Sequence, residues 1–313
     1  MGRYEELDPQ RVHRYKASER VSKVFKDFLG KPPGKWNDLK EFAERLPKVL
    51  KANDLKELVE DIVRAKKENK EIILTMGAHP IKCGLSPIII DLMEEGFITA
   101  IASNGASVIH DVELALWGAT SEEVDSAIKD GSFGMASDTA DFINEAIRCG
   151  KVEGLGFGES VGKMLIETNP QNIGLSVLAA AYRFGVPFTV HIAIGSDIIH
   201  MHPTFDGSAA GELSTRDFRI FAARVARLDG GVILNFGSTV VMPEVFLKAI
   251  SMARNLGYNV FKFTAANFDM IQHYRPNRNI VERPTSCGGK GFTFTGHHEI
   301  MLPLLAALIK AYS

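Results

Sequence analysis

The chain predicts an α/β fold, a parallel-sheet, Rossmann-like three-layer αβα domain with an N-terminal helical lead-in. Three observations predict it. From Glu71 onward, short apolar runs alternate with longer stretches of helical spacing, the texture of βαβ units around a parallel sheet. Most of those stretches close on a glycine, the residue that most easily takes the left-handed cap conformation. The 313 residues are 45% hydrophobic and 24% charged, which suffices for one large sheet covered on both faces.

Residues 1–70 hold no convincing strand and are expected to form a helical extension, with residues 71–313 as the dinucleotide-binding and catalytic domain. Helical spacing runs from Trp36 to Lys70, with Pro47 and the Asn53-Asp54 pair as interruptions. Strands are expected in EIILTMG, FITAIASN, PFTVHIAIG, GGVILNFGS and NVFKFTAA. Between and after them, helices are expected in LSPIIIDLMEEG, SVIHDVELALWG, SDTADFINEAIRCG, IGLSVLAAAYRFG, TRDFRIFAARVARLDG, PEVFLKAISMARNLG and HEIMLPLLAALIKAY. Gly96, Gly118, Gly150, Gly185, Gly230 and Gly257 are the expected caps.

The formal net charge of -2 gives no footprint for nucleic acid. No apolar run reaches the ~18 residues of a membrane span, and the start MGRYEELDPQ lacks the order of a secretory signal, so a cytoplasmic location is expected. Cys83, Cys149 and Cys287 lie far apart with no C-x-x-C pair, and are expected as reduced thiols.

In open parallel sheets, ligands bind beyond the carboxyl ends of the strands. The segments expected there are GAHPIKCGLSP, NGASVIHD, GSDIIHMHPTFDG, GSTVVMPE and TAANFD, all rich in residues that permit tight turns and close approach of main chain to ligand. Familiar phosphate motifs are absent. GLGFGESVGKM has Phe157 where the first glycine of a phosphate loop belongs and Met164 where its Ser or Thr belongs. His200 and His202 form an H-x-H, and His79, His110 and His191 fall near strand ends. A catalytic zinc site needs three converging ligands, and Asp197 and Asp206 are nearby carboxylates; the same pattern beside a proline also suits a hydrogen-bonded loop, and no metal is expected.

Taken in order, these loops resemble the deoxyhypusine synthase family, and also the NAD-binding part of the lysine-oxoglutarate reductase/saccharopine dehydrogenase-like (LOR/SDH-like) ornithine cyclodeaminases. The resemblance starts near Glu71 and implies a fold of deoxyhypusine synthase type with bound NAD, NADP not being excluded. GSDIIHMHP is similar to the family's GD-x-x-x-x-H stretch, which places Asp197 on its polyamine-binding aspartate and His202 on its histidine. FTAANFD is similar to NTAQEFD, an element at the nucleotide, and so implies Thr264, Ala265 and Ala266 as contacts. SCGGK puts Lys290 where the family has its imine-forming lysine, a role that requires a depressed pKa; the alternative is a lysine that binds phosphate or is simply solvated. Pro243 and Glu244 replace the family's histidine pair and Gly288 its tryptophan, departures that point away from a true deoxyhypusine synthase.

The expected catalytic set is therefore Lys290, Asp197, His202 and His79. The dinucleotide is expected on Gly77 and Ala78 after the first strand, on Ser103, Asn104, Gly105, Ala106, His110 and Asp111 after the second, on Gly195 and Ser196, on Gly237 and Ser238, and on Thr264 to Ala266. Arg275 and Arg283 are expected to hold a carboxylate or phosphate, or else to form a basic surface loop. The expected reaction is NAD-dependent chemistry on an amine or amino acid, by transfer, elimination or deamination through an imine. Alternatives are a cyclodeaminase- or reductase-like enzyme on an anionic amino acid and a non-catalytic nucleotide-binding protein. The resemblance further implies a homodimer or homotetramer.

Overall fold

The computed structural model describes residues 26–31 and 39–313, together with His13 and Lys16. Most of the expected lead-in before residue 39, Trp36 included, lies outside the described residues. The described chain then forms α1 (Leu39–Arg45) and α2 (Leu50–Lys67), followed by β1 (Ile72–Met76), α3 (His79–Lys82), α4 (Ser86–Glu94), β2 (Ala100–Ser103) and α5 (Gly105–Trp117). Next come α6 (Val124–Ala127), α7 (Ser137–Glu153), α8 (Phe157–Thr168), α9 (Val177–Phe184), β3 (Phe188–Val190), α10 (Gly207–Val225), β4 (Val232–Phe236) and α11 (Val241–Asn255). The last part is β5 (Thr264–Asp269), α12 (Tyr274–Pro276), a π-helical turn (Asn277–Glu282), α13 (Arg283–Thr285), β6 (Lys290–Thr295) and α14 (His298–Tyr312).

Six parallel strands make one sheet in the order β3-β2-β1-β4-β5-β6, so the order reverses between β1 and β4. Strand residues alternate between two cores, as the two-residue period requires. Ile72, Leu74 and Met76 of β1 and Leu234 and Phe236 of β4 join one core with Leu58 and Ile62 of α2 and Leu302 and Leu305 of α14. Ile73, Ile233 and Ala265 join the other, with Phe221 of α10 and Phe246 of α11. Helix α2 is thereby a layer of the main domain, packed on α14 and four strands.

Two ladders hold the register of β1, β4, β5 and β6. Phe236, Phe268 and Phe294 face one another across paired positions and stack with ring centroids 4.4 Å and 4.7 Å apart. Thr75, Asn235 and Asn267 are likewise register partners, joined by buried side-chain bonds of 2.9 Å and 2.7 Å. At the other edge, β3 is closed by α10. Asp217 accepts the Val190 N–H at 2.7 Å and the Gly158 N–H of α8 at 3.0 Å, so one carboxylate satisfies an edge strand and a helix start.

GLGFGESVGKM, whose residues already failed the phosphate-loop pattern, is the start of α8. Two sequence readings change here. Gly150 is not a cap, since α7 continues to Glu153 and ends on Gly154 at φ +76°; a Cβ at Gly150 would fall 1.7 Å from Ser160 Oγ, so its smallness serves the α7–α8 contact. The fifth strand begins at Thr264, later than expected, and a sixth follows at Lys290.

Candidate functional site

The loops after β1, β2 and β3 enclose a cavity of about 610 Å³, lined in part by Lys82, Ala106, His110, Glu113, Thr120 and Asp197. Its position beyond the strand carboxyl ends is where an open α/β sheet takes ligands. Asp197 opens a 3-10 turn (Ile198–Met201) in a capping box with His200. Its Oδ2 is buried with no hydrogen-bond partner, and burial pushes the carboxyl up to about 6. A Cβ on Gly105, the first residue of α5, would lie 2.2 Å from that Oδ2, so only glycine lets the carboxylate seat against the helix start.

His200 stands beside Asp197, with Nε2 3.9 Å from Oδ2. Its Nδ1 accepts the Gly195 N–H at 3.1 Å, which leaves the ring proton on Nε2. That Nε2 is also buried without a partner, and burial lowers the imidazole pKa. A buried unpartnered carboxylate oxygen is costly, and a cationic ligand would offset the cost.

Across the crevice, two glycines bring walls together. A Cβ on Gly77 would fall 2.6 Å from Gly237 O, and one on Gly237, at φ +64°, would fall 2.7 Å from His298 Cε1. His298 bonds the Phe268 carbonyl through Nε2 at 3.3 Å, so Nε2 donates and Nδ1 is left as an acceptor; Nδ1 is buried and unpartnered, as is Asp269 Oδ2. Main-chain walls that exclude any Cβ, with orphaned acceptors behind them, fit the close approach of a dinucleotide.

No family model matches the chain, and no curated protein matches it. Solved structures do. AgrE, in its ternary complex with ornithine and NAD+, superposes at a TM-score of 0.56 with 15% identity, over 83% of this chain and 33% of AgrE. The chain shares the fold of about a third of AgrE. A conserved LOR/SDH protein from Methanococcus maripaludis S2 superposes at 0.53 with 17% identity, over 85% of this chain and 71% of that one. A deoxyhypusine synthase candidate from Entamoeba histolytica aligns at 0.49 with 12% identity, over 83% and 88% of the two chains. This chain thus spans about a third of AgrE and most of the other two.

The expected site residues divide between this region and elsewhere. Ala106, His110, Ser196 and Asp197 line the cavity. Gly77, Gly105, Gly237 and Ser238 lie at the crevice, where Ser238 caps α11 through Met242 N at 3.1 Å. Ala78 and His79 open α3, with His79 packed edge-on to His298 at 5.4 Å between ring centroids. Gly195 takes φ +88° in the loop after β3. Asn104 caps α5 by accepting from Ser107 N at 3.2 Å, while Ser103 Oγ bonds Met76 O at 2.8 Å.

Others are held away or already engaged. Asp111 is fully buried and accepts the Val177 N–H at 2.7 Å and the Leu178 N–H at 3.1 Å, so it caps α9 inside the core and does not face a nucleotide. His202 bonds the Gly134 carbonyl at 2.9 Å. Thr264, Ala265 and Ala266 are buried at the amino end of β5, opposite the crevice. Lys290 starts β6 at that same end and pairs with Glu57 at 2.7 Å and Asp61 at 3.1 Å. Burial lowers its pKa, but those two carboxylates outweigh burial and raise it, the reverse of what an imine-forming lysine needs. The structure therefore does not unite Lys290 with Asp197. Arg275 lies 3.5 Å from Glu244, and Arg283 bonds Asn279 at 2.7 Å and Tyr274 at 3.2 Å; neither lines the cavity. Among the described residues, no three His, Cys, Asp or Glu side chains are grouped to hold a metal ion.

Sequence reasoning missed Lys82, Glu113 and Thr120, and took His200 only as half of an H-x-H pair. The i, i+3 spacing of His110 and Glu113 on one expected helix face was a usable signal.

Proposed function

We propose that the chain is an NAD-dependent enzyme acting on an amine or amino acid, bound in the cavity of about 610 Å³. The observation that carries this reading is the buried, unpartnered Oδ2 of Asp197 on the cavity wall. An ammonium group there would supply the missing bond and counter-charge. Glu113 and Glu122 line the same cavity against one lysine, Lys82, a balance that favours a cationic head. Lys82 suits the carboxylate of an amino acid, and ornithine bound to AgrE together with NAD+ supports that class.

Gly77, Ala78, Gly105, Gly237 and His298 would hold the dinucleotide, which supplies a hydride acceptor or donor when bound. The chain's own work is to seat the ammonium on Asp197, orient it through the α5 start, and exclude water with the segment 119–124 that lines the cavity.

Isothermal titration of NAD+, NADP+ and L-ornithine tests this. Wild type is expected to bind L-ornithine, and Asp197→Asn to bind it about 10- to 100-fold more weakly, the 1.5–3 kcal/mol of a charge-assisted hydrogen bond. Equal affinity of the two proteins would remove the amine assignment.

A further inference from the structure

Asp197 lines the cavity, and a second group of side chains, His110 and Glu113 of α5 with Thr120, lines it too. Thr120 Oγ1 donates to Glu113 Oε2 at 2.5 Å. A hydroxyl has a single proton, so the bond between Thr120 Oγ1 and His110 Nδ1, 2.7 Å long, must run from Nδ1–H to the hydroxyl oxygen. Neutral His110 therefore carries its proton on Nδ1, and Nε2 is a lone-pair acceptor. Nε2 makes no hydrogen bond to the described protein, while the ring, Thr120 and Glu113 all line the cavity. Glu113 lies 3.8 Å from Nδ1 and also accepts from Thr139 Oγ1 at 3.3 Å. Burial pushes the Glu113 carboxyl up, but its bonds with His110, Thr120 and Thr139 outweigh burial and hold it below its ordinary value.

We propose that His110 is the proton acceptor of this cavity, with Thr120 and Glu113 as positioning residues that leave Nε2 free for a ligand's acidic hydrogen. The assignment deepens the amine-enzyme reading and rests on it for its substrate class. The step is a proton transfer. An N–H bond of the ammonium held by Asp197 breaks, its electron pair stays on nitrogen, and the proton bonds Nε2. Nδ1–H keeps its bond to Thr120, and the new imidazolium charge faces Glu113. The ligand leaves this step as a neutral amine, the form with a lone pair available for oxidation or elimination. The other charged groups on the walls have separate places: Glu122 Oε2 accepts the Gly134 N–H at 2.9 Å, and Lys82 stands on the β1 side.

Long-range ¹H–¹⁵N correlation spectra of the full chain, ¹⁵N-labelled at histidine, read the tautomer directly, with His110→Gln giving the assignment. Neutral His110 is expected as the Nδ1–H tautomer in wild type and as a mixture in Thr120→Val, while the other histidines keep their patterns and so report a folded protein. With NAD+ and L-ornithine as probes, His110→Gln is expected to slow formation of reduced nicotinamide by about 100-fold or more, with L-ornithine affinity held within about threefold. Thr120→Val is expected to displace the acid limb of the pH–rate profile. An Nε2–H tautomer in wild type, or turnover by His110→Gln at the wild-type rate, overturns the proposal. If wild type neither binds nor oxidises L-ornithine, the amine-enzyme reading fails, and with it the substrate named for His110; the tautomer spectrum still decides by itself whether Nε2 is the free base.

Discussion

At the scale of single residues, the crevice is shaped by what is missing from glycines. Gly77 is close to the Gly237 carbonyl, a main-chain atom that cannot swing aside, so Gly77→Ala is expected to destabilise the protein by about 1–3 kcal/mol in urea unfolding. Gly174 has open space around its Cβ position and no positive φ, and Gly174→Ala should stay within about 0.5 kcal/mol of wild type. Asp197 was a candidate through the resemblance of GSDIIHMHP to the GD-x-x-x-x-H stretch, and the structure puts it on the cavity wall. Its histidine partner was not singled out. His200 and His202 are equivalent in sequence, and only the 3-10 turn decides that His200 stands beside the carboxylate while His202 bonds Gly134.

Elements were legible where both faces of a strand are buried and so read as apolar runs. β1, β2 and β4 fall within the expected segments. β6 was not, because KGFTFT is an edge strand with exposed Lys290, Gly291 and Thr295, and its short alternation resembles a loop. That omission displaced Lys290 to the wrong end of the sheet, since the segment between β5 and β6 runs back to where β6 begins, and the late start of β5 did the same for Thr264. The opposite edge depends on Asp217, which serves β3 and α8 together. Asp217→Ala strands two buried N–H groups, and a loss of about 2–4 kcal/mol is expected in chemical unfolding, with hydrogen exchange fastest in β3 and α8.

Over the whole molecule, buried carboxyls set the pH response. Burial pushes Asp111 up to about 6 and Asp217 up to about 7, against an unfolded value of 3.8. Between about pH 4 and 7 the unfolded chain has lost these protons and the folded chain has kept them, so the stability these groups contribute is complete below about pH 4 and declines as pH rises through that window. Asp61 acts in the opposite sense. Burial raises its pKa, but bonds from Thr264, Lys290 and Arg64 outweigh burial and lower it, so its contribution is lost only as pH falls through its depressed folded value. Urea midpoints are expected to fall from pH 5 to pH 8 in wild type, and to fall less in Asp217→Asn, whose side chain does not titrate. An equal slope for both proteins would assign the pH response to other groups.

The sequence by itself determined the layer architecture, most of the helices, and the two glycine-lined loops after β1 and β4. Each of these is written in local spacing or in a residue type with few alternatives, so no distant contact is needed to read it. Tertiary structure alone decided which polar side chains are consumed by the fold and which remain for chemistry. Asp111 and Asp217 look as available in sequence as Asp197, yet two close helix and strand ends while the third keeps an unpartnered oxygen on a cavity wall. Lys290 and His110 come to lie at opposite ends of the sheet for the same reason. The sheet places the lysine among carboxylates at its amino end and the histidine in the cavity at its carboxyl end, because strand direction and order fix on which side of the sheet each loop emerges.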